Sequence, residues 1–322
     1  MSRLKIVSLA LAAALCGAPA LAQTFPDRVV TVVVPFPPGG ASDSTARFMQ
    51  PKMQDKLGQS VVIDNRPGAN GANGASHVKG QPADGYTLLV GSIGVFAINP
   101  ALNPNLSYQP GKDLDLLTVA VRTPNVLVAN PDFPASSVKE LIAYLKANPD
   151  KVTFASSGVG SSDHLTAALF WQKTGTSGVH VPYKGGGPAI ADLIAGHANV
   201  SFQNLGAVAN QIKAGKLKAF AVTAQDRNPV LANVPTMKEA GVDGIDVYSW
   251  QAAAAPKGLP APVKAKLFEA LKASLNDPEV KAKFNGLGFE VVANTPEEFV
   301  AFRNAEEQRW REVVKLGKIE TN

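Results

Sequence analysis

The chain of 322 residues contains one cysteine, Cys16. An internal disulfide is therefore excluded, and beyond residue 16 so are a cysteine nucleophile and a thiolate metal site. Charged residues amount to 18%, below the roughly 25% of an average soluble domain, whereas 45% are apolar. Such a chain can bury a sizeable core and does not have the composition of a disordered one. Its formal net charge of +5 is small and scattered, which is no footprint of a nucleic-acid binder. After residue 22 no run of 18 uninterrupted apolar residues occurs, so no later segment reads as a membrane span. Enzyme signatures are missing as well. Gly215-Lys216 is followed by Leu217, not by the Ser or Thr of a phosphate-binding loop. Gly158-x-Gly160 has Asp163 where a dinucleotide fingerprint has its third glycine, and G-x-S-x-G does not occur. His77, His164, His180 and His197 show no metal-ligand spacing. No catalytic residue, cofactor or metal is expected.

The first 22 residues hold no acid. Arg3 and Lys5 form a basic start, Ile6 to Leu15 an apolar stretch too short to span about 30 Å of hydrocarbon, and Ala20-Leu21-Ala22 an A-x-A site. The expectation is an export signal cleaved after Ala22, and a periplasmic protein. Lipidation at Cys16 is the rival, but bulky Leu15 precedes it where a small residue is expected.

Length gives a prior of about two domains. Short β-branched runs alternate with amphipathic stretches, the pattern of an α/β protein with mostly parallel sheets. Strands are expected over 29–34, 61–64, 86–90, 125–129, 152–155, 179–181, 200–202 and 219–223, and helices over 42–56 and 137–147. Further helices should start near residue 163 and after Pro188. Residues 66–74 read as a flexible loop and 247–255 as an extended crossing segment, and the remainder as helices. Thr295-Pro296-Glu297-Glu298 reads as a capping box opening the last helix. The arrangement is two lobes with C-terminal helices returning to the first: residues 23–122 plus 246–322, and 123–245.

Three loops have the chemistry of an anion cradle, the third of them Gly91-Ser92-Ile93. Phe36-Pro37-Pro38-Gly39-Gly40-Ala41-Ser42-Asp43 joins a strand to a helix start, where glycines expose backbone N–H groups and the helix end carries partial positive charge. It is a βα turn in any case, with Ser42 or Asp43 as candidate cap; Phe36, Pro38, Gly39, Gly40 and Asp43 are candidates for the ligand. Ser156 to His164 offers four hydroxyls, two glycines and another helix start. Ser157, Gly158, Gly160, Ser161 and His164 are its candidates, the alternative being that a serine only caps the helix and His164 sits on the surface. Ser92, at the carboxyl end of a strand, stands where open α/β sheets bind ligands, or is an ordinary strand end. Tyr183-Lys184-Gly185 lines the cleft or merely turns, and Arg66 is read first as a loop-fixing ion pair. Phe170 and Trp171 read as packing.

The stretches VVPFPPGGASD (33–43), LGQSVVIDNRPGANG (57–71), PADGYTLLVGSIG (82–94), HVPYKGGGPAIADLIAGHANVSF (180–202) and VPTMKEAGV (234–242), with residues 97–106, 123–165, 214–224 and 295–299, resemble the Bug family. These are periplasmic solute receptors of tripartite tricarboxylate transporters. The resemblance spans nearly all of 24–320. It implies a type II periplasmic-binding fold with the ligand cleft between its lobes. It also implies a carboxylate held by the first two loops, membrane subunits of the transporter as partner, and no chemical step; a monomer that binds no nucleic acid is expected. A co-receptor for a membrane sensor kinase is the alternative, and an enzyme a more distant one. Asn204 joins the candidates through the family pattern FDN, written here Phe202-Gln203-Asn204. Where relatives often read ELF, this chain has Ala168-Leu169-Phe170. Both departures remove an acid near the expected cleft, which would suit an anion, a di- or aromatic carboxylate, better than an amino acid. Phe36, Phe96 and Phe202 either flank an aromatic ring or belong to the core.

Overall fold

The computed structural model describes residues 25–319; the expected export signal over 1–22 lies outside them. The first lobe begins with β1 (Val30–Val34), α1 (Ala41–Leu57), β2 (Val61–Asn65), α2 (Ala72–Lys79) and β3 (Thr87–Ser92). β1 lies parallel between β2 and β3. Its valines are buried on both faces, as a strand covered by helices on each side requires. A π-helical turn, Gly94–Ile98, and two short helical turns lead to β4 (Leu114–Ala129).

β4 decides the architecture. Its first part, to Pro124, pairs antiparallel with β9 (Tyr248–Pro256), and its last five residues, Asn125 to Ala129, pair with β7 (Val200–Asn204). One strand of 16 residues thus passes from the first sheet into the second. Pro124 sits where the partner changes; lacking an N–H, it donates to neither ladder. Between the crossings come α3 (Val138–Ala147), β5 (Thr153–Ser156), α4 (Ser162–Thr174), β6 (Val179–Pro182), α5 (Gly186–Ala195), β7, α6 (Leu205–Lys213) and β8 (Lys218–Val222). β5 is parallel to both β6 and β7. After β9 the chain closes with α7 (Ala261–Asn276), α8 (Pro278–Gly286), β10 (Glu290–Val291) and α9 (Pro296–Gly317). The fold is the two-lobed α/β fold that the sequence implied.

α9 opens with the expected capping box of Thr295 and Glu298. It returns to the first lobe through a fully buried aromatic cluster, in which Phe96 lies 6.0 Å from Trp250 and 5.6 Å from Phe299 between ring centroids. Burial of each such side chain contributes about 1.5–3 kcal/mol.

Three expectations need correction. Residues 66–74 are not a loop throughout: a 3-10 turn, Ala69–Gly71, precedes α2. Its alanines and glycines read as loop composition because they are small for packing. At Gly74 a Cβ would meet the Pro35 Cβ at 2.6 Å, so the helix can approach β1 closely only through glycine. The strand expected over 125–129 is the end of β4, its reading cut short by Pro124. The third strand runs on to Ser92.

Candidate functional site

The first two cradle loops follow one plan. In each, the carboxylate of an aspartate in the first turn of the following helix accepts a backbone N–H from the loop. Asp43 Oδ2 accepts from the Gly39 N–H at 2.9 Å and from Arg47 Nε at 2.8 Å, while Oδ1 accepts from Asn65 Nδ2 at 3.0 Å. Burial opposes its ionisation, yet the hydrogen bonds from Arg47, Gly39 and Asn65 outweigh burial and hold the carboxyl below the usual range. Asp163 Oδ2 accepts from the Ser157 N–H at 2.6 Å and Ser157 Oγ at 2.7 Å, with Gln203 Nε2 at 3.4 Å. Here burial prevails over the serine hydrogen bonds and raises the pKa.

These contacts change the role of several expected site residues. Asp43 is buried with its oxygens taken by the protein; it shapes the first loop and caps no helix. α1 instead begins at Gly40 with no side-chain cap, and Pro38, Gly39 and Gly40 are exposed at its mouth. Ser42 turns inward and donates to Gln251 Oε1 at 2.5 Å. Gln251, on the crossing strand β9, pairs in register with Ser92, so it gathers Ser42 and Ser92 at one place. Ser92 Oγ accepts from the Gly94 N–H at 3.3 Å.

In the second loop all four hydroxyls have protein partners. Ser156 Oγ lies 2.6 Å from His180 Nε2, Ser157 donates to Asp163, and Ser161 donates to the Gly158 carbonyl at 2.6 Å. Ser162 Oγ is 3.4 Å from Asn204 Nδ2, which also donates to Asn125 Oδ1 at 2.6 Å. Ser161 is the N-cap of α4, accepting from the His164 N–H at 3.4 Å. His164 is buried, not a surface residue: its Nδ1 accepts from the Gly160 N–H at 3.2 Å, and its ring stacks on His180 with centroids 3.7 Å apart. Ser161→Ala is expected to cost about 1 kcal/mol of stability through loss of the cap, which urea unfolding would read.

Sequence reasoning passed over the start of α5. Gly185 donates its N–H to the Ser157 carbonyl at 3.0 Å, and α5 opens there without a side-chain cap. A Cβ on Gly186 would lie 3.3 Å from both Ser157 Oγ and Gln203 Oε1, so this glycine run flanks the second loop directly. Three glycines and a proline after a strand were the available signal. Tyr183 Oη donates to Asp192 at 2.7 Å. Arg66 pairs with Asp64 at 2.6 Å on the surface.

The loops from the two lobes meet around residues 70 and 71. A Cβ on Gly71 would come 3.0 Å from Phe36 Cζ, and the side chain of neighbouring Asn70 reaches the Gly160 carbonyl at 2.9 Å. Phe36 is half-buried there, whereas Phe96 and Phe202 are fully buried core residues. Ala168 likewise lies in the core, while Gln203 Nε2 lies 3.4 Å from Asp163 Oδ2. A cavity of about 380 Å³ elsewhere, lined by Arg122, Tyr248, Trp250 and Arg309, contains none of these loop residues. Among the described residues no group of three or more His, Asp or Glu is arranged to hold a metal.

Comparison with known proteins identifies the family and the fold. A family model described as the tripartite tricarboxylate transporter family receptor matches residues 45–318. The chain belongs to this family. It is 37% identical to Protein BugT of Bordetella pertussis over 313 residues, covering 97% of this chain and 96% of BugT. Among solved structures, Rpa4515 of R. palustris with adipate superposes with a TM-score of 0.86 at 36% identity, covering 92% of this chain and 99% of that one. MatC (Rpa3494) of Rhodopseudomonas palustris with bound malate gives 0.83 at 34%, covering 90% and 100%. This receptor of the tripartite tricarboxylate type is thus a solute-binding protein by family and fold.

Proposed function

We propose that the protein is an exported, periplasmic receptor that captures a small dicarboxylate between its lobes and delivers it to the membrane subunits of a tripartite transporter, with no chemical step. The observation that carries this is the paired arrangement of glycine-rich helix starts. α1 and α5 open on glycine without a side-chain cap, one in each lobe, and helix starts favour anions through their N–H groups and partial charge. The neighbouring carboxylates of Asp43 and Asp163 accept hydrogen bonds from the protein itself. The relatives bound to adipate and malate support the same ligand class. Complete burial of Phe96 and Phe202 removes the main argument for an aromatic acid. We take residues 23–122 plus 246–322 and 123–245 as the lobes that close on the ligand.

A thermal-shift and calorimetric panel of adipate, malate, benzoate and glutamate tests this. A ligand at one hundred times its Kd adds roughly 2.7 kcal/mol, enough to raise Tm by several degrees. The expected result is a shift with adipate or malate and little with glutamate. Tight binding of glutamate alone, or turnover of a bound acid, would overturn the proposal.

A further inference from the structure

Gly160 is held from both sides. Its N–H goes to His164 of its own lobe, while its carbonyl accepts from Asn70 Nδ2 of the other lobe at 2.9 Å. Asn70 is itself fixed in place. Its Nδ2 also donates to Asn99 Oδ1 at 3.0 Å, and Asn99 Nδ2 returns a bond to the Asn70 carbonyl at 3.0 Å and contacts Tyr108 Oη at 3.2 Å. Tyr108, fully buried, donates to the Val95 carbonyl at 2.7 Å. The Asn70 backbone is left-handed, at φ 49° and ψ 39°, a conformation that asparagine tolerates better than most residues. Gly160, at φ +76°, fits against the first lobe so closely that a Cβ would lie 2.8 Å from Leu102 Cδ1 and 3.1 Å from Asn70 Nδ2. The first lobe thus presents a preformed socket for one glycine of the second loop.

We propose that Asn70 is an interlobe latch, a positioning residue that holds the second loop against the first lobe and so populates the closed form before any ligand arrives. Its partner is a backbone carbonyl, so the latch acts irrespective of which solute fills the cleft. Only contacts present in the closed form bias the equilibrium toward it. Apparent affinity rises with the population of the binding-competent form. Loss of the bond should shift the open-to-closed ratio by roughly five-fold, the range expected of one net hydrogen bond.

The test needs no ligand. Nitroxide labels on Asn105→Cys and Ala191→Cys, both exposed and on different lobes, report the interlobe distance by pulsed electron resonance in the full chain carrying Cys16→Ser. The parent should show a dominant short separation. Asn70→Asp keeps the shape and the left-handed preference but removes the donor, whereas Asn70→Gly keeps the backbone conformation alone. Both should transfer population to a longer separation, and both should weaken adipate and malate by a common factor wherever those bind. A parent that is fully open without ligand would overturn the proposal, as would unchanged distributions in both variants. A shift in Asn70→Asp alone would overturn it too, because repulsion by the new oxygen, not loss of the donor, would then be responsible. Failure of every carboxylate to bind would count against the proposed function and leave the distance result standing.

Discussion

Asp163→Ala is expected to lower folding stability by about 2–5 kcal/mol and to abolish ligand capture, because two donors on Ser157 and a third on Gln203 lose their acceptor inside the protein. The carboxylate lies only 3% exposed, so water cannot readily replace it. Asp163→Asn separates shape from charge. An amide oxygen can still accept from the Ser157 N–H and hydroxyl, and burial already disfavours the ionised carboxyl. The asparagine variant should therefore retain most of the stability, losing about 1 kcal/mol or less. Urea unfolding of both variants reads the difference. Equal losses would mean that the negative charge, and not the accepting geometry, holds the second loop. An alanine variant as stable as the parent would remove Asp163 from that role altogether.

Asp43 repeats the device with a different electrostatic balance. Its carboxylate has the Arg47 guanidinium beside it and stays below the usual carboxylate range, whereas Asp163 has only neutral donors and is pushed up. Both aspartates follow a glycine- or serine-rich loop in the sequence, and Asp43 itself reads there as a ligand contact or helix cap. The backbone N–H groups that they accept from lie in the loops themselves. The candidate site is consequently backbone held in shape by buried acids.

What could be read in the sequence was mostly the scaffold. β-branched runs, the Gly-Pro punctuation and the Thr295 capping box locate strands, loops and the last helix, because these signals are local. The failures came from contacts between distant residues. Pro124 reads as a strand start, since nothing local says that a strand can change sheets at a residue with no N–H to donate. α2 hides in small residues whose purpose is close approach to Pro35. Gln251 is one polar residue before a run of alanines, and its bond to Ser42 joins positions 209 apart. The hydroxyls of Ser156 to Ser162 were legible as residues but not in direction: the fold turns their hydrogen bonds onto His180, Asp163, Gly158 and Asn204.

The stacked pair His164 and His180 predicts a loss of stability in mild acid. Burial, and then the neighbouring charge of His180, lower the His164 pKa from 6.5 to about 3, and burial lowers that of His180 to about 4. A base whose folded pKa is depressed resists protonation that the unfolded chain accepts, so its contribution is intact above pH 6.5 and falls as pH drops toward the folded values. At pH 5 the unfolded His164 is protonated and the folded one is not, which costs about 2 kcal/mol. His180 adds in the same direction, discounted because its ring is partly exposed. Asp163, with a raised pKa, works in the opposite sense, losing stability as pH rises through its folded value. Asp43, Asp113 and Asp115, all lowered, keep their full contribution down to about pH 4 and lose it only below that, as their carboxylates protonate. Asp163 acts in part of the same window with opposite sign, so the histidine contribution is read as a difference between a His164 variant and the parent, in which the Asp163 contribution cancels. His164→Asn offers an oxygen in place of Nδ1, to accept from the Gly160 N–H, and does not titrate. Between pH 7.5 and 5 it should lose about 2 kcal/mol less than the parent does. Parallel losses in variant and parent would show that His164 takes up its proton in the folded protein at the same pH as in the unfolded chain, so that neither burial nor the Gly160 N–H disfavours its charge.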